Sequence, residues 1–364
     1  MPTRFRIGAF FLGLALAAGG VELGLRLMNM GFGNSPMEPD AYLHHVHPKN
    51  YQFIQQHPSG ELGGFQIEYN ADGRVYRGAG VPPMNVEGTH GDCRVALMGD
   101  SFAEGGQVPF AVTFAGQLEV AAREKCDVRN YGVRSYSPAI YLVQYTRDVR
   151  PWRPRTVFVL LFGNDVREDA NYVAVSDLNQ QGLPLAVRGP DDGWLFAQLR
   201  RSYLARFVRM VSMRASWVWE HSDEDQWTVG GVVEEHPTWG GPTPDIILEL
   251  NRRVRQDGSR LVVMAVPSRY RLMGHGKIET GEDFHETVKV FARENGIEFL
   301  DLNDAFQRAA AAGVPLFFLK DIHFAAEGHA LVAGVIARAY PELFDAGLEA
   351  PSAAVDAAFG PQHP

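Results

Sequence analysis

Arg94-Val-Ala-Leu-Met-Gly-Asp-Ser-Phe102 decides the reading of this chain. The apolar run up to Met98 reads as a strand covered on both faces, because strands of a parallel sheet are near-continuous hydrophobic runs rather than alternating ones. Gly99-Asp100-Ser101 then turns the chain, and Ala103-Glu-Gly-Gly106 leads into a helical pattern. Ser101 thereby stands at the carboxyl end of a strand beside a helix N-terminus, where open α/β sheets place their ligands. On its own it reads as a helix cap as readily as a nucleophile. Serine is a favoured N-cap, and its hydroxyl attacks a carbonyl only when a base stands beside it.

A base is offered by Lys320-Asp-Ile-His-Phe-Ala-Ala-Glu-Gly-His329. In a turn, the spacing of Asp321 and His323 lets the carboxylate reach Nδ1–H of the imidazole, leaving Nε2 to take the serine proton. Those are the roles that define a catalytic triad. His329 competes as the base, but it falls inside the helical pattern 325–340 and is read as structural; Asp321 could instead cap that helix. Donors for a developing oxyanion are the amides of Ser101 and Gly132 and the side-chain amide of Asn164. Gly132 follows a short strand, Asp127-Val-Arg129, and Asn164 a strongly apolar one, Thr156-Val-Phe-Val-Leu-Leu-Phe162. Their bland readings are a turn glycine and an ordinary turn asparagine.

Taken together, Gly99-Asp-Ser101, Gly132, Gly163-Asn-Asp165 and Asp321-x-His323 resemble the SGNH hydrolases of the GDSL esterase superfamily, with all four signature residues in family order over about residues 93–345. The resemblance implies an acyl-enzyme mechanism with Ser101 as nucleophile, His323 as base, Asp321 orienting it, and Ser101, Gly132 and Asn164 forming the oxyanion hole. Many members space the acid and base as Asp-x-x-His. The shorter Asp-x-His form here is similar to an exported branch that includes alginate O-acetyltransferases. Position 103 is Ala, so the Gly-x-Ser-x-Gly elbow of α/β-hydrolases is absent.

Strands at 94–99, 127–131, 156–162, 260–266 and 298–300 alternate with helices at about 107–125, 138–149, 243–256, 281–295, 303–312 and 325–340. This rhythm predicts a three-layer α/β/α sandwich around a flavodoxin-like, parallel five-stranded sheet of order 2-1-3-4-5. The chain divides into a signal anchor or transmembrane helix (1–30), an extension with a β-hairpin (31–92), the hydrolase domain (93–345) with an insertion at 166–241, and a flexible tail (346–364). Within the insertion, 195–219 reads as an amphipathic helix packed on the domain with its arginines in solvent. A membrane-surface helix is the alternative.

Arg4 and Arg6 precede the apolar run 7–21, the pattern of an export signal with its N-terminus in the cytoplasm. Continuation through Glu22 and Arg26 favours an uncleaved anchor over a peptide cleaved near Ala15-Leu-Ala17. The reading is therefore a bacterial-type inner-membrane protein with its catalytic domain on the periplasmic side, secreted if the segment is cleaved. In such an oxidising compartment Cys93 and Cys126, at the starts of neighbouring strands, form either a disulfide or a pair of free thiols. The net charge of −9 argues against a nucleic-acid partner. No cofactor is expected, since the chain carries no phosphate loop or dinucleotide fingerprint; Gly78-Ala-Gly80 lacks the strand–helix setting. No metal is expected either: there are only two cysteines, and His44, His45 and His47 read as a solvated loop.

The function these features imply is hydrolysis of an acyl ester, O-acetyl by preference, on a cell-surface glycan. An O-acetyltransferase using the same triad, a non-catalytic glycan-binding scaffold on the same fold and a lipase or lysophospholipase remain as rivals.

Overall fold

The computed structural model describes residues 3–76, 93–122, 125–191, 193–220, 239–273, 283–345 and 353–359. Helix α1 (Thr3–Leu27) leads into an extension of small antiparallel units: β1 (Glu38–Asp40) with β2 (His44–Val46), then β3 (Tyr51–Gln56), β4 (Gly63–Tyr69) and β5 (Val75–Tyr76) as a three-stranded sheet. The hairpin expected at 65–76 is present. Its outer partner β3 was not legible, because its flanks are rich in Pro, Gly and His.

The main domain runs β6 (Arg94–Gly99), α2 (Ser101–Glu104), α3 (Phe114–Ala121), β7 (Asp127–Asn130), α4 (Pro138–Gln144) and β8 (Thr156–Leu161). The insertion follows: α5 (Asp165–Ala174), β9 (Ser176–Leu178), β10 (Pro184–Val187), α6 (Trp194–Arg201) and α7 (Tyr203–Glu220). The α/β rhythm then resumes with α8 (Thr243–Gln256), β11 (Arg260–Ala265), α9 (Arg269–Met273), α10 (Phe284–Glu294), β12 (Glu298–Phe299), α11 (Asn303–Ala311), α12 (Ala326–Ala339) and α13 (Ala353–Phe359). Strands β7, β6, β8, β11 and β12 lie side by side, all parallel, in the 2-1-3-4-5 order the sequence implied.

Side-chain alternation builds the three layers. Val95 and Leu97 of β6, Phe158 and Leu160 of β8, and Val262 and Met264 of β11 pack on one side with α3, α11 and α12. Ala96 and Met98, Val157 and Val159, and Val263 and Ala265 pack on the other with α4, α8 and α10. Helix α8 shows why these helices form: Ile246, Ile247, Leu250 and Val254 fall on one buried stripe. Phe158 is fully buried, so its truncation to Ala would cost about 3–5 kcal/mol.

Several expectations need correction. The long helix at 107–125 is a single 3₁₀ turn, Phe110–Val112, followed by α3, which Thr113 starts afresh by accepting the Gly116 amide at 3.0 Å. The helix at 138–149 is α4 continued by a π turn, Tyr145–Val149. The tail is not loose at 353–359: Val355 and Ala358 of α13 are buried, and Arg308 Nε donates to the Ala358 carbonyl at 2.9 Å. The three histidines are not a solvated loop. His45 and His47 are buried; Nε2 of His45 donates to the Arg134 carbonyl at 2.9 Å, and His47 stacks on Tyr69. Among the described residues no group of three metal-ligating side chains is assembled. Gly78–Gly80 and the acidic run 223–225 lie outside the described residues.

The basic, aromatic stretch at 195–219 is two helices broken at Ser202, and its faces do not divide as expected. Tyr203 and Met210 are buried and Arg201 and Arg209 exposed, but other arginines face the extension and several large apolar side chains face outward. Arg200, Arg206 and Arg214 turn inward, donating to the carbonyls of Met37, Asn34 and Pro58. Trp194, Phe196, Phe207, Val208 and Val211 are exposed. The extension leaves those carbonyls without strand partners, and guanidinium donors satisfy them. Glu22 of α1 caps α7, accepting from Ser202 Oγ (2.9 Å) and the amides of Tyr203 (3.1 Å) and Leu204 (2.8 Å), while Arg26 Nε donates back to Glu22 at 2.6 Å. Residues 4–27 are long and apolar enough to cross a membrane, with a mean hydropathy of 1.7. Cys93 and Cys126 are joined as a disulfide just ahead of β6 and β7.

Candidate active site

Ser101 is the first residue of α2, directly after β6. Asp100 caps this short helix by accepting the Phe102 amide at 2.8 Å. The turn depends on Gly99, whose φ is +154°; a Cβ there would lie 2.7 Å from the Ala103 Cβ and 2.9 Å from the Leu160 carbonyl oxygen. The N–H of Ser101 is one of the orphan donors of a helix start.

His323 stands across the sheet's carboxyl edge, in the loop before α12. Its Nε2 lies 2.7 Å from Ser101 Oγ. Its Nδ1 bonds Asp321 Oδ1, which also accepts the backbone amide of His323 at 2.9 Å. A carboxylate on Nδ1 fixes the proton there and leaves Nε2 as the acceptor facing the serine hydroxyl. Burial lowers the imidazole pKa, but the charge and hydrogen bond of Asp321 outweigh it, so His323 lies above the ordinary 6.5. Burial likewise opposes ionisation of Asp321, and His323 overrides it, holding the carboxyl at about 2. The arrangement is an ionised acid, a base of raised affinity for protons, and a hydroxyl within reach of it. Only 14 % of the His323 side chain is exposed, so the pair works in a site largely screened from water.

His329 is excluded as the base. It is buried in α12, accepts the Phe114 amide at Nδ1 (3.3 Å), and burial depresses its pKa to about 3.

The residues expected to supply oxyanion donors sit at the ends of three adjacent strands, β6, β7 and β8. Gly132 packs on the backbone of α2 so closely that a Cβ would lie 2.4 Å from the Glu104 nitrogen. Its N–H, however, is already donated to Asn130 Oδ1 at 2.8 Å, and Asn130 Nδ2 donates to the Ala103 carbonyl at 2.8 Å. Gly132 therefore serves an oxyanion only by sharing or exchanging that bond. Asn164 spends one of its two amide hydrogens on Glu168 Oε1 at 2.9 Å.

The sequence alone does not reveal the carboxyl cluster beneath the site. Asp100 and Asp165 are both fully buried: burial pushes Asp100 to about 6, and burial together with the charge of Asp100 pushes Asp165 well above its usual range. Glu168 is pushed to about 8, by burial first and Asp100 second. At neutral pH Asp165 and Glu168 hold their protons while Asp100 is mostly ionised, which limits the negative charge gathered at the site. Nor did it show His57, whose Nε2 lies 3.7 Å from Asp321 Oδ2.

A cavity of about 840 Å³ lies between the extension and the insertion. Arg134, two residues after Gly132, and Gln56 and Pro58, on either side of His57, are among its lining residues, as are Tyr172, Phe196 and Arg209.

The family model for GDSL-like lipase/acylhydrolases matches residues 97–331. The chain belongs to that family. It is a hydrolase acting on ester bonds. No curated protein matches the sequence. Among solved structures it is similar to a G-D-S-L family protein from Desulfitobacterium hafniense (14 % identity, covering 67 % of this chain and 98 % of that one, TM-score 0.38). It is also similar to a GDSL-like protein from Parabacteroides merdae (13 %, 72 % and 100 %, 0.41) and to an acetylxylan esterase from Geobacillus stearothermophilus (14 %, 67 % and 92 %, 0.37).

Proposed function

We propose that the chain is an exported, membrane-anchored serine esterase that removes an acyl group, O-acetyl by preference, from a cell-surface glycan. The observation that carries the esterase mechanism is the 2.7 Å approach of His323 Nε2 to Ser101 Oγ, with Asp321 on Nδ1. Ser101 Oγ attacks the ester carbonyl as His323 takes its proton. The tetrahedral oxyanion is met by the Ser101 N–H, the second amide hydrogen of Asn164 and, once released from Asn130, the Gly132 N–H. His323 returns the proton to the leaving alcohol. A water, deprotonated by the same base, then releases the acyl group from Ser101. Such preorganised donors are generally the largest single contribution to rate.

The location rests on two supports: the apolar helix 4–27, and the Cys93–Cys126 disulfide, a bond that persists in oxidising compartments. The acetyl preference rests on the Asp321-x-His323 spacing. The cavity beside Arg134 has room for sugar residues, a typical ligand site being about 300–1,000 Å³. Incubation with an acetylated oligosaccharide, followed by mass spectrometry, tests this reading. Free acetate with loss of the acetyl mass supports it. Acetyl groups moved to a second sugar without net hydrolysis would make the protein a transferase, and no change with an active Ser101 would exclude the O-acetyl glycan.

A further inference from the structure

The loop that carries Asp321 and His323 is tied at its ends, where Phe318 N donates to the His323 carbonyl (3.1 Å) and Ala325 N to the Leu316 carbonyl (2.9 Å). Its tip is held from two sides. Buried Arg269, the first residue of α9, donates through Nη2 to the carbonyls of Phe318 (3.0 Å) and Leu319 (2.9 Å). From the opposite side comes the β3–β4 turn of the extension. Glu61 Oε1 accepts the Leu319 amide at 2.5 Å, and Oε2 accepts the Lys320 amide at 2.6 Å.

The same turn brings His57 to Asp321. The Ser59 amide donates to His57 Nδ1 at 3.2 Å. Ser59 Oγ accepts the Glu61 amide at 3.2 Å and lies 2.7 Å from Nδ1, to which its own hydrogen goes. Two donors on Nδ1 leave the ring proton on Nε2, and Nε2 faces Asp321 Oδ2 at 3.7 Å. The two carboxylate oxygens are thus divided: Oδ1 serves the ring and amide of His323, and Oδ2 faces the N–H of His57. At 3.7 Å this is a charge–dipole contact rather than a hydrogen bond. Arg214 of α7 braces the turn by donating to the Pro58 carbonyl. Residues 57–61 all lie outside the 97–331 segment that defines the family.

We propose that the turn 57–61 is a positioning device, lent by the extension, for the Asp-x-His loop. Glu61 fixes the loop's backbone through the amides of Leu319 and Lys320, and His57 keeps Asp321 aimed at His323. This rests on the reading of Ser101, His323 and Asp321 as the reacting groups. Bonds from amides to a carboxylate are charge-assisted and about twice as strong as neutral ones. Two of them on consecutive residues set both the position and the tilt of the loop.

The test uses the full-length protein and p-nitrophenyl acetate. Glu61→Ala is expected to lower kcat by roughly 10–100-fold with KM within about threefold, since a misplacement of about 1 Å costs on the order of 10². Glu61→Gln, which keeps one carbonyl acceptor, restores part of the loss. His57→Phe tests the dipole. The charged or titratable groups around His57 are Asp321, Glu61, His323 and Arg214. Removing its N–H lets the Asp321 charge act more fully on His323, so the acid limb of kcat/KM moves to higher pH. His57→Gln, which keeps an N–H donor, moves it back. Wild-type kcat in Glu61→Gln and Glu61→Ala, together with an unmoved acid limb in His57→Phe, overturns the proposal while leaving the mechanism intact. So does a loss of activity that only tracks loss of folded protein by near-ultraviolet circular dichroism. Full activity in Ser101→Ala would instead overturn the mechanism beneath it.

Discussion

Replacing Asp321 by Asn isolates one quantity, the negative charge behind His323. Asp321 Oδ1 accepts both the ring Nδ1 and the backbone amide of His323. The amide, at 2.9 Å, holds the carbonyl oxygen of an asparagine in the same place. The tautomer of His323 is therefore kept, and what disappears is the ion pair that forms when the imidazole takes the serine proton. Two unit charges roughly 4 Å apart at an effective dielectric constant of about 20 attract by about 4 kcal/mol. At about 1.4 kcal/mol per tenfold that is close to 10³ in rate. We expect kcat/KM for p-nitrophenyl acetate to fall by about 10²–10³, less than the roughly 10⁴ seen where an Asp-to-Asn change leaves histidine in the wrong tautomer. Asp321→Ala, which also frees the His323 amide, falls further. The pH profile gives a second signature. His323 acts as a base only when neutral, and Asp321 raises its pKa above 6.5, so the acid limb of the wild type lies above that value. Without the charge, burial, the largest influence, prevails over the weaker pull of Asp100, so the limb of the Asn variant moves to lower pH. An Asn variant within threefold of wild type, or an acid limb that moves upward, refutes the reasoning.

Asn164→Ala removes an oxyanion donor and should reduce kcat by about 10²–10³ with little change in KM, read in the same assay. An effect confined to KM would mean that Asn164 binds the ground state only. Replacing Cys93 and Cys126 by Ala removes a link spanning 33 residues and should cost about 3–4 kcal/mol in denaturant unfolding. Since the bond sits at the amino edge of the sheet, away from Ser101, kcat should not change.

Much of this molecule could be read in the chain because its information is local. The apolar run up to Met98 and the runs at Thr156–Leu161 and Arg260–Ala265 are strands buried on both faces, and their alternation with helices fixes layers and order. Ser101 and Asn164 follow such strands and Gly132 follows the edge strand β7, so placing the strands places these residues, while the Asp-x-His motif marks the loop ahead of α12. What escaped depends on distant partners. Helix periodicity at 107–125 does not reveal that the chain restarts at Thr113. Amphipathicity at 195–219 shows two faces but not which is inward; carbonyls of the extension some 160 residues away decide that. His57 and Glu61 belong to no motif and gain meaning only once β3 and β4 bring their turn onto the loop at 318–323. That Gly132 spends its N–H on Asn130 follows from a side-chain rotamer, which no spacing encodes.

The central claim is that Ser101 is a nucleophile activated by His323. A fluorophosphonate probe reacts only with a serine so activated, and peptide mapping locates its adduct. The account predicts a single adduct on Ser101 in the wild type, none in Ser101→Ala, and labelling slowed by orders of magnitude in His323→Ala. An adduct on another residue, or undiminished labelling without His323, would contradict it.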